Sequence, residues 1–398
     1  METSKFLYNK ANRLWKKAQS LEEMENYEDA SISFKEASDI WKEVNDTWKH
    51  KKCLALSFEC KAKGQKVDKA FNLEEISTNF NEASKLWTEI DSKVNASWCK
   101  ANSHVTLGLF NFNNGEYEKS YQEYESAKIL FEEIKDHKSI RFCEAKKYKC
   151  KGFELNKKNN FSEASKVFFS ASGIFKEILV TEDALLCEAN GWLTTGLDKK
   201  FNYLFEEAIL SLQAAASIFE ILQLNTNKFW CLGLVSECKY FISKYNQNME
   251  QIIVNINEAI QNFEKAEDKT ASLRCKCDLY RYQGLDFKYK GKFQDSLQSF
   301  NKLQESILEL SKIMPENVFN NMTLIYARAL TEDLKGDIEF LFNSNFEAAL
   351  QRYAEAEKLF NVTQDKKSTF YCSNIKRLCE ALIKVKEGNF PEANKLWN

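Results

Sequence analysis

Apolar and small residues recur along the chain at spacings of three and four, the interval at which side chains line one face of an α-helix. The clearest block is residues 161 to 178, where Ala164, Phe168, Ala171 and Phe175 stand 4, 3 and 4 residues apart. The pattern returns 44 residues later as Ala208, Leu212, Ala215 and Phe219, and 44 residues earlier as Ser120, Tyr124, Ala127 and Phe131. Other copies begin at Ala30, Ile76, Ile252, Ser296 and Ala349, with a last fragment at Ala393 and Trp397. The steps between copies are 46, 44, 44, 44, 44, 44, 53 and 44 residues, which marks one supersecondary unit repeated in tandem.

Each interval leaves room for a second helix, and that helix has its own column. Twelve residues ahead of each small position stand Ala18, Gly64, Gly108, Gly152, Gly196, Tyr240, Gly284, Asp337 and Ala381. Glycine inside a helix costs roughly 0.5–1 kcal/mol against alanine, so glycines in register imply close approach of a neighbouring helix. The first pair reads as a helix over residues 4 to 25, bearing Leu7, Ala11, Leu14, Trp15, Ala18 and Leu21 on one face, and a partner from Tyr27 to about Val44. The polar turn that follows, Asn45 and Asp46, offers a side chain, Asn or Asp, to accept hydrogen bonds from the free amides of the next helix. The 53-residue step predicts an insertion near 336–345 that either lengthens a helix or folds into the groove as an internal ligand, and it would make Arg328 the true column residue of that repeat and Asp337 a nominal one.

A glycine on the first helix, a small residue twelve on, an aromatic four later and an alanine three after that resembles the tetratricopeptide repeat signature. The 44-residue step is longer than that family's usual period of about 34, and the closing proline is missing. Longer helices follow, as in the relatives that include soluble NSF attachment proteins and Pins/LGN-type scaffolds. The resemblance implies an all-α, right-handed α-solenoid of antiparallel helix pairs over residues 1–398, with eight pairs and a terminal half-pair. It implies a non-catalytic scaffold or adaptor that binds a peptide or amphipathic helix in its concave groove. A narrower alternative is an attachment-protein-like adaptor that recruits a AAA ATPase to helical bundles.

By the same analogy the groove is faced by Lys146, Lys149 and Phe153 in one repeat, by Asn190, Leu193 and Leu197 in the next, and by Asp278, Arg281 and Leu285 in a later one. Cations mixed with apolar side chains suit an acidic, amphipathic protein or peptide partner. First helices also lean basic, residues 137–157 holding seven Lys or Arg against two Glu.

Composition narrows the classes. Two prolines and twelve glycines in 398 residues leave little punctuation for linkers, and 44% hydrophobic residues supply a core. A net charge of −2 argues against nucleic-acid binding driven by bulk charge. The amphipathic N-terminus, METSKFLYNKANRLWKKAQS, reads as neither a signal peptide nor a membrane span, so a cytoplasmic protein without an integral membrane segment is expected.

Cysteines fall in register at Cys53, Cys99, Cys143, Cys187, Cys231 and Cys275, then Phe319, then Cys372, with a partial second column at Cys60, Cys150, Cys238 and Cys379. A phenylalanine in that column fits a buried packing position better than a chemical one. A cysteine-based redox or metal-binding protein is the alternative from another class, although Cys275 and Cys277 lack the second pair a structural zinc site needs. His50, three residues before Cys53, makes the sole Cys-His neighbour pair, with no orienting third group. No cofactor and no catalytic constellation is expected. At the far end Trp397, behind Pro391 at a helix start, suits an end contact through which copies could associate or a partner segment could dock.

Overall fold

A computed structural model describes residues 2–67, 72–315 and 318–397, with side chains for 4–65, 72–315 and 321–397. The side chain of Phe319 lies outside the described residues. The elements are α1 (Glu2–Glu23), α2 (Tyr27–Glu43), α3 (Thr47–Val67), α4 (Leu73–Glu89), α5 (Lys93–Asn113), α6 (Tyr117–Glu133), α7 (His137–Lys157), α8 (Phe161–Glu177) and α9 (Thr181–Phe201). They continue as α10 (Phe205–Ile221), α11 (Asn225–Tyr245), α12 (Met249–Lys265), α13 (Lys269–Tyr289), α14 (Phe293–Ile313), α15 (Val318–Leu341), α16 (Phe346–Val362), α17 (Lys366–Lys386) and α18 (Phe390–Trp397). No strand occurs among the described residues. This is an all-α helical repeat of antiparallel pairs, the architecture that the tetratricopeptide-like spacing implies.

Chain contacts divide it into two compact units, Met1–Asp198 and Lys199–Asn398. In unit 1 each helix from α1 to α8 packs on the next, and in unit 2 the same holds from α10 to α18. Short turns enforce this order. Most connections hold three residues, the middle one in the left-handed region, as at Asn45 (φ 62°), Lys135 (φ 60°) and Leu179 (φ 62°). The third residue often caps the next helix: Asp46 Oδ1 accepts from the Lys49 amide at 3.0 Å, and Asp136 Oδ1 from the Ser139 amide at 3.1 Å.

Most second helices carry two large side chains two turns apart, each meeting a small residue on the first helix of its own pair. A Cβ added at Gly108 would lie 2.9 Å from the Tyr124 ring, at Gly152 2.7 Å from Phe168, and at Gly284 2.4 Å from Phe300. Two turns earlier on the first helices, Ala11 shares a buried cluster with Trp41, Ala55 with Trp87, Ala101 with Phe131 and Ala145 with Phe175. On the far side of these rings stands a cysteine of the next pair: Cys53 beside Trp41, Cys99 beside Trp87, Cys143 beside Phe131 and Cys187 beside Phe175. All twelve cysteines are free and buried.

The structure corrects the column at two places. Gly64 sits against Cβ of Tyr27, while Ala62 shares the cluster of Ile76 and Phe80. In α15 Arg328 is exposed, and Gly336 underlies the Tyr353 ring, its added Cβ 2.9 Å away. Nor do the extra residues of the 53-residue step form an insertion confined to 336–345. They enter mostly as helix, α14 having 21 residues where α8, α10 and α12 have 17, and α15 having 24 where α13 has 21. Asp337, next to the glycine, accepts from the Tyr353 hydroxyl at 2.6 Å and from Lys288 Nζ at 2.8 Å.

Close ring contact gives a signed prediction. Gly152→Ala improves intrinsic helix propensity by about 0.5–1 kcal/mol, yet its methyl group must displace the Phe168 ring, and overpacking costs about 1–3 kcal/mol. Urea unfolding should therefore find the variant less stable, with Phe168→Leu in the same chain recovering part of the loss. A more stable single variant would contradict the packing described.

Candidate functional site

In unit 1 the residues expected to face a groove are engaged with the chain itself. Lys146 and Lys149 of α7 converge on Asp183 of α9, at 2.9 and 3.0 Å, with side chains only 13% and 9% exposed. Two cations share one carboxylate, and the surplus charge rests on rings: Lys146 lies 5.0 Å from the Phe142 centroid, and Lys149 5.1 Å from that of Phe112. Burial, then the neighbouring Lys149, lowers Lys146 below the ordinary lysine value. Burial alone would raise Asp183, but the two ammonium groups outweigh it and hold that carboxyl low.

Phe153 is wedged among rings, its centroid 5.2 Å from Phe112, 5.3 Å from Tyr117 and 5.1 Å from Phe168. Asn190 is buried with its Nδ2 donating to the Leu186 carbonyl at 2.7 Å, Leu193 is buried and Leu197 half-buried. This face therefore presents little free charge.

Unit 2 holds an open cleft. A cavity of about 470 Å³ lies among α11, α13 and α15, floored by Ile256 and Ala259 of α12 and by Ile307 and Leu310 of α14. That volume falls within the usual range for ligand pockets, about 300–1,000 Å³. Its origin lies in the two large-residue columns. Ile256 replaces the aromatic of the first column and Ile307 that of the second, where the other second helices carry Phe, Tyr or Trp, apart from Leu212. Opposite Ile256 the first helix carries Tyr240 in place of a glycine, so the ring comes from the other wall. Smaller side chains on the floor leave room that rings fill elsewhere.

The cleft's polar groups are few, and the charged ones in its wall are paired. Arg281 donates to Asp278 at 2.7 Å and its guanidinium lies 5.0 Å from the Tyr282 centroid. Glu237 pairs with Lys200 and accepts from Cys275 Sγ at 3.7 Å. Burial raises the Asp278 carboxyl despite Arg281. Arg274 is exposed at the rim, and no ion pair holds it among the described residues. Leu285, also expected in the groove, packs instead against the core cluster around Phe300 and Leu334. The sequence reading placed Asp278 and Arg281 here but missed the cleft, whose signal was the pair of isoleucines in the aromatic columns.

Burial pushes the thiols of Cys53, Cys143, Cys187 and Cys231 up to about 12, which keeps them protonated near neutral pH. His50 is bound to Ser38 through Nδ1, 2.9 Å from the Ser38 Oγ. Among the described residues no group of three or more His, Cys, Asp or Glu is arranged to hold a metal ion, and no helix is long and apolar enough to cross a membrane. Trp397 is 62% exposed at the end of α18.

The Lys146–Asp183–Lys149 cluster sets a pH-dependent expectation. Because the folded pKa of Asp183 is lowered, its contribution is complete above the unfolded value of about 3.9 and is lost as pH falls through the lower folded value. Asp183→Asn strands two largely buried ammonium groups and should cost about 3–5 kcal/mol at pH 7. Urea unfolding at descending pH should show the gap from the parent chain closing once the carboxylate protonates. A gap that stays constant would place the stabilisation elsewhere.

No protein-family model matches the chain, and no curated protein does. Among solved structures, a Rap protein complexed with competence and sporulation factor is 13% identical, covers 95% of this chain and 98% of its own, and has a TM-score of 0.34. The apo form of RapI is 12% identical, with coverage of 96% and 99% and a TM-score of 0.40. A human IFIT1 dimer with PPP-AAAA is 18% identical, with coverage of 96% and 87% and a TM-score of 0.27. At these identities and scores the likeness carries nothing about what this chain binds.

Proposed function

We propose that this chain is a non-catalytic protein-interaction scaffold, and that it takes a peptide or helical segment of a partner protein against the first helices of unit 2. The observation that carries the reading is the apolar cleft over Ile256 and Ile307, with the half-buried Asp278–Arg281 pair in its wall. An apolar side chain of the partner fills the space that the aromatic columns leave open, while the paired polar groups fix its orientation. Arg281 is the one cation of the expected groove set that lines this cleft, and the free Arg274 at the rim favours an acidic residue on the partner. The intracellular, cytoplasmic setting belongs to the same proposal.

Filling the cleft tests this without touching the charges. A displayed library of random linear peptides should yield binders to the full chain, and Ile256→Phe with Ile307→Phe should weaken those binders about tenfold or more while the helical content is kept. A library that enriches no sequence, or binders indifferent to the filled cleft, would overturn the reading.

A further inference from the structure

Four of the five first helices that end in unit 2 finish on a large apolar residue, the exception being α17, which ends in Lys386. The last residues of α9, α11, α13 and α15 are Phe201, Tyr245, Tyr289 and Leu341. They are 74%, 89%, 80% and 58% exposed. At the same place α1, α5 and α7 of unit 1 end in Glu23, Asn113 and Lys157. Scattered surface apolar residues need no account, but four in one register at consecutive repeats form a row, and their exposure means the core does not require them.

Two quantities select the partner. First helices of unit 2 are linked side by side, the Tyr240 and Tyr282 rings being 5.9 Å apart and Lys288 Nζ 2.8 Å from Asp337. Helices joined this way lie about 8–10 Å apart, so the row repeats at roughly that interval. An α-helix rises 1.5 Å per residue, so apolar positions seven apart recur about every 10.5 Å along one face.

Charge then decides between classes of macromolecule. Lys199 and Lys200 are balanced by Glu206 and Glu207, and Lys244 by Glu250, whereas Lys290 and Lys292 beside Tyr289 are offset by Glu339 and Glu347 beside Leu341. A polyphosphate strand or an anionic bilayer is held by a net excess of cations, which this edge lacks.

We propose that this edge of unit 2 is a second docking surface, for an amphipathic protein helix with a heptad apolar stripe. Among the described residues Lys292 and Glu347, both exposed at helix starts one repeat apart, have no ion-pair partner in the chain. The docked helix therefore carries an acidic residue facing Lys292 and, about two turns along, a basic residue facing Glu347. That polarity fixes the direction in which it lies. The surface is separate from the cleft, and its occupancy does not depend on the cleft being used.

The test uses the full chain and a fluorescein-labelled synthetic helix of about 22 residues with leucine at every seventh position and the acid and base placed as above. Anisotropy should report saturable binding that Tyr245→Lys with Tyr289→Lys weakens about tenfold or more, both sites being exposed enough to leave folding unchanged. Exchanging the peptide's acid and base should weaken binding, and Lys292→Glu with Glu347→Lys should restore it. The cleft-filled Ile256→Phe chain should bind as the parent does, which separates this surface from the cleft. No binding of the peptide, or binding that ignores the double lysine variant, overturns the proposal. So does variant-sensitive binding of phosphatidylserine vesicles or of an oligonucleotide in the peptide's place, and so does a dimer of the chain that the double variant abolishes.

Discussion

Everything in this molecule depends on a ring held between two small side chains. Trp41 shows the arrangement, with Ala11 of its own pair on one side and Cys53 of the next pair on the other, all three fully buried. Interiors pack at crystal-like density, so a ring on the second helix demands glycine or alanine on the first, and a modest side chain on the following one. Satisfying that demand at two levels, two turns apart, fixes the register within a pair and between pairs. Because a repeat contacts only its neighbours, the same local fit propagates along each unit. The cysteines belong to this fit. Sulfur fills slightly more space than a methyl group without presenting a strong polar atom, and burial keeps the thiols protonated.

Where the fit is relaxed, the unit gains a cleft. Ile256 and Ile307 are too small to occupy the volume of a ring, and Tyr240 supplies its ring from the opposite wall. Lengthened α14 and α15 border the same region. The cleft is thus a consequence of two substitutions in the columns that elsewhere close the core. Unit 1 shows the opposite outcome: Lys146, Lys149 and Phe153 lie where an open groove was expected, and Asp183 and a cluster of rings fill the space around them.

Much of the fold was legible because its determinant is periodic. A small-aromatic-small-aromatic pattern repeated every 44 residues gives both helix face and helix order, and the polar caps mark the turns. Register errors arose where periodicity broke. A 46-residue step moved the contact from Gly64 to Ala62, and the 53-residue step was spread over two helices and their turns, so that Gly336 took the place assigned to Arg328. The site was less legible for a different reason. Spacing shows which residues share a face, but whether a lysine on that face is free or paired depends on an acid 34 or 37 residues away, as with Asp183.

The most direct measurement of the central packing claim is the reactivity of the column thiols, read cysteine by cysteine with a small alkylating reagent and mass spectrometry. Cys143, Cys187 and Cys231 are fully buried, so they should label slowly in the native chain and rapidly in denaturant, with no metal bound in stoichiometric amount. Immediate labelling of all three under native conditions would contradict the account, because rings held between small residues leave no path to those sulfur atoms.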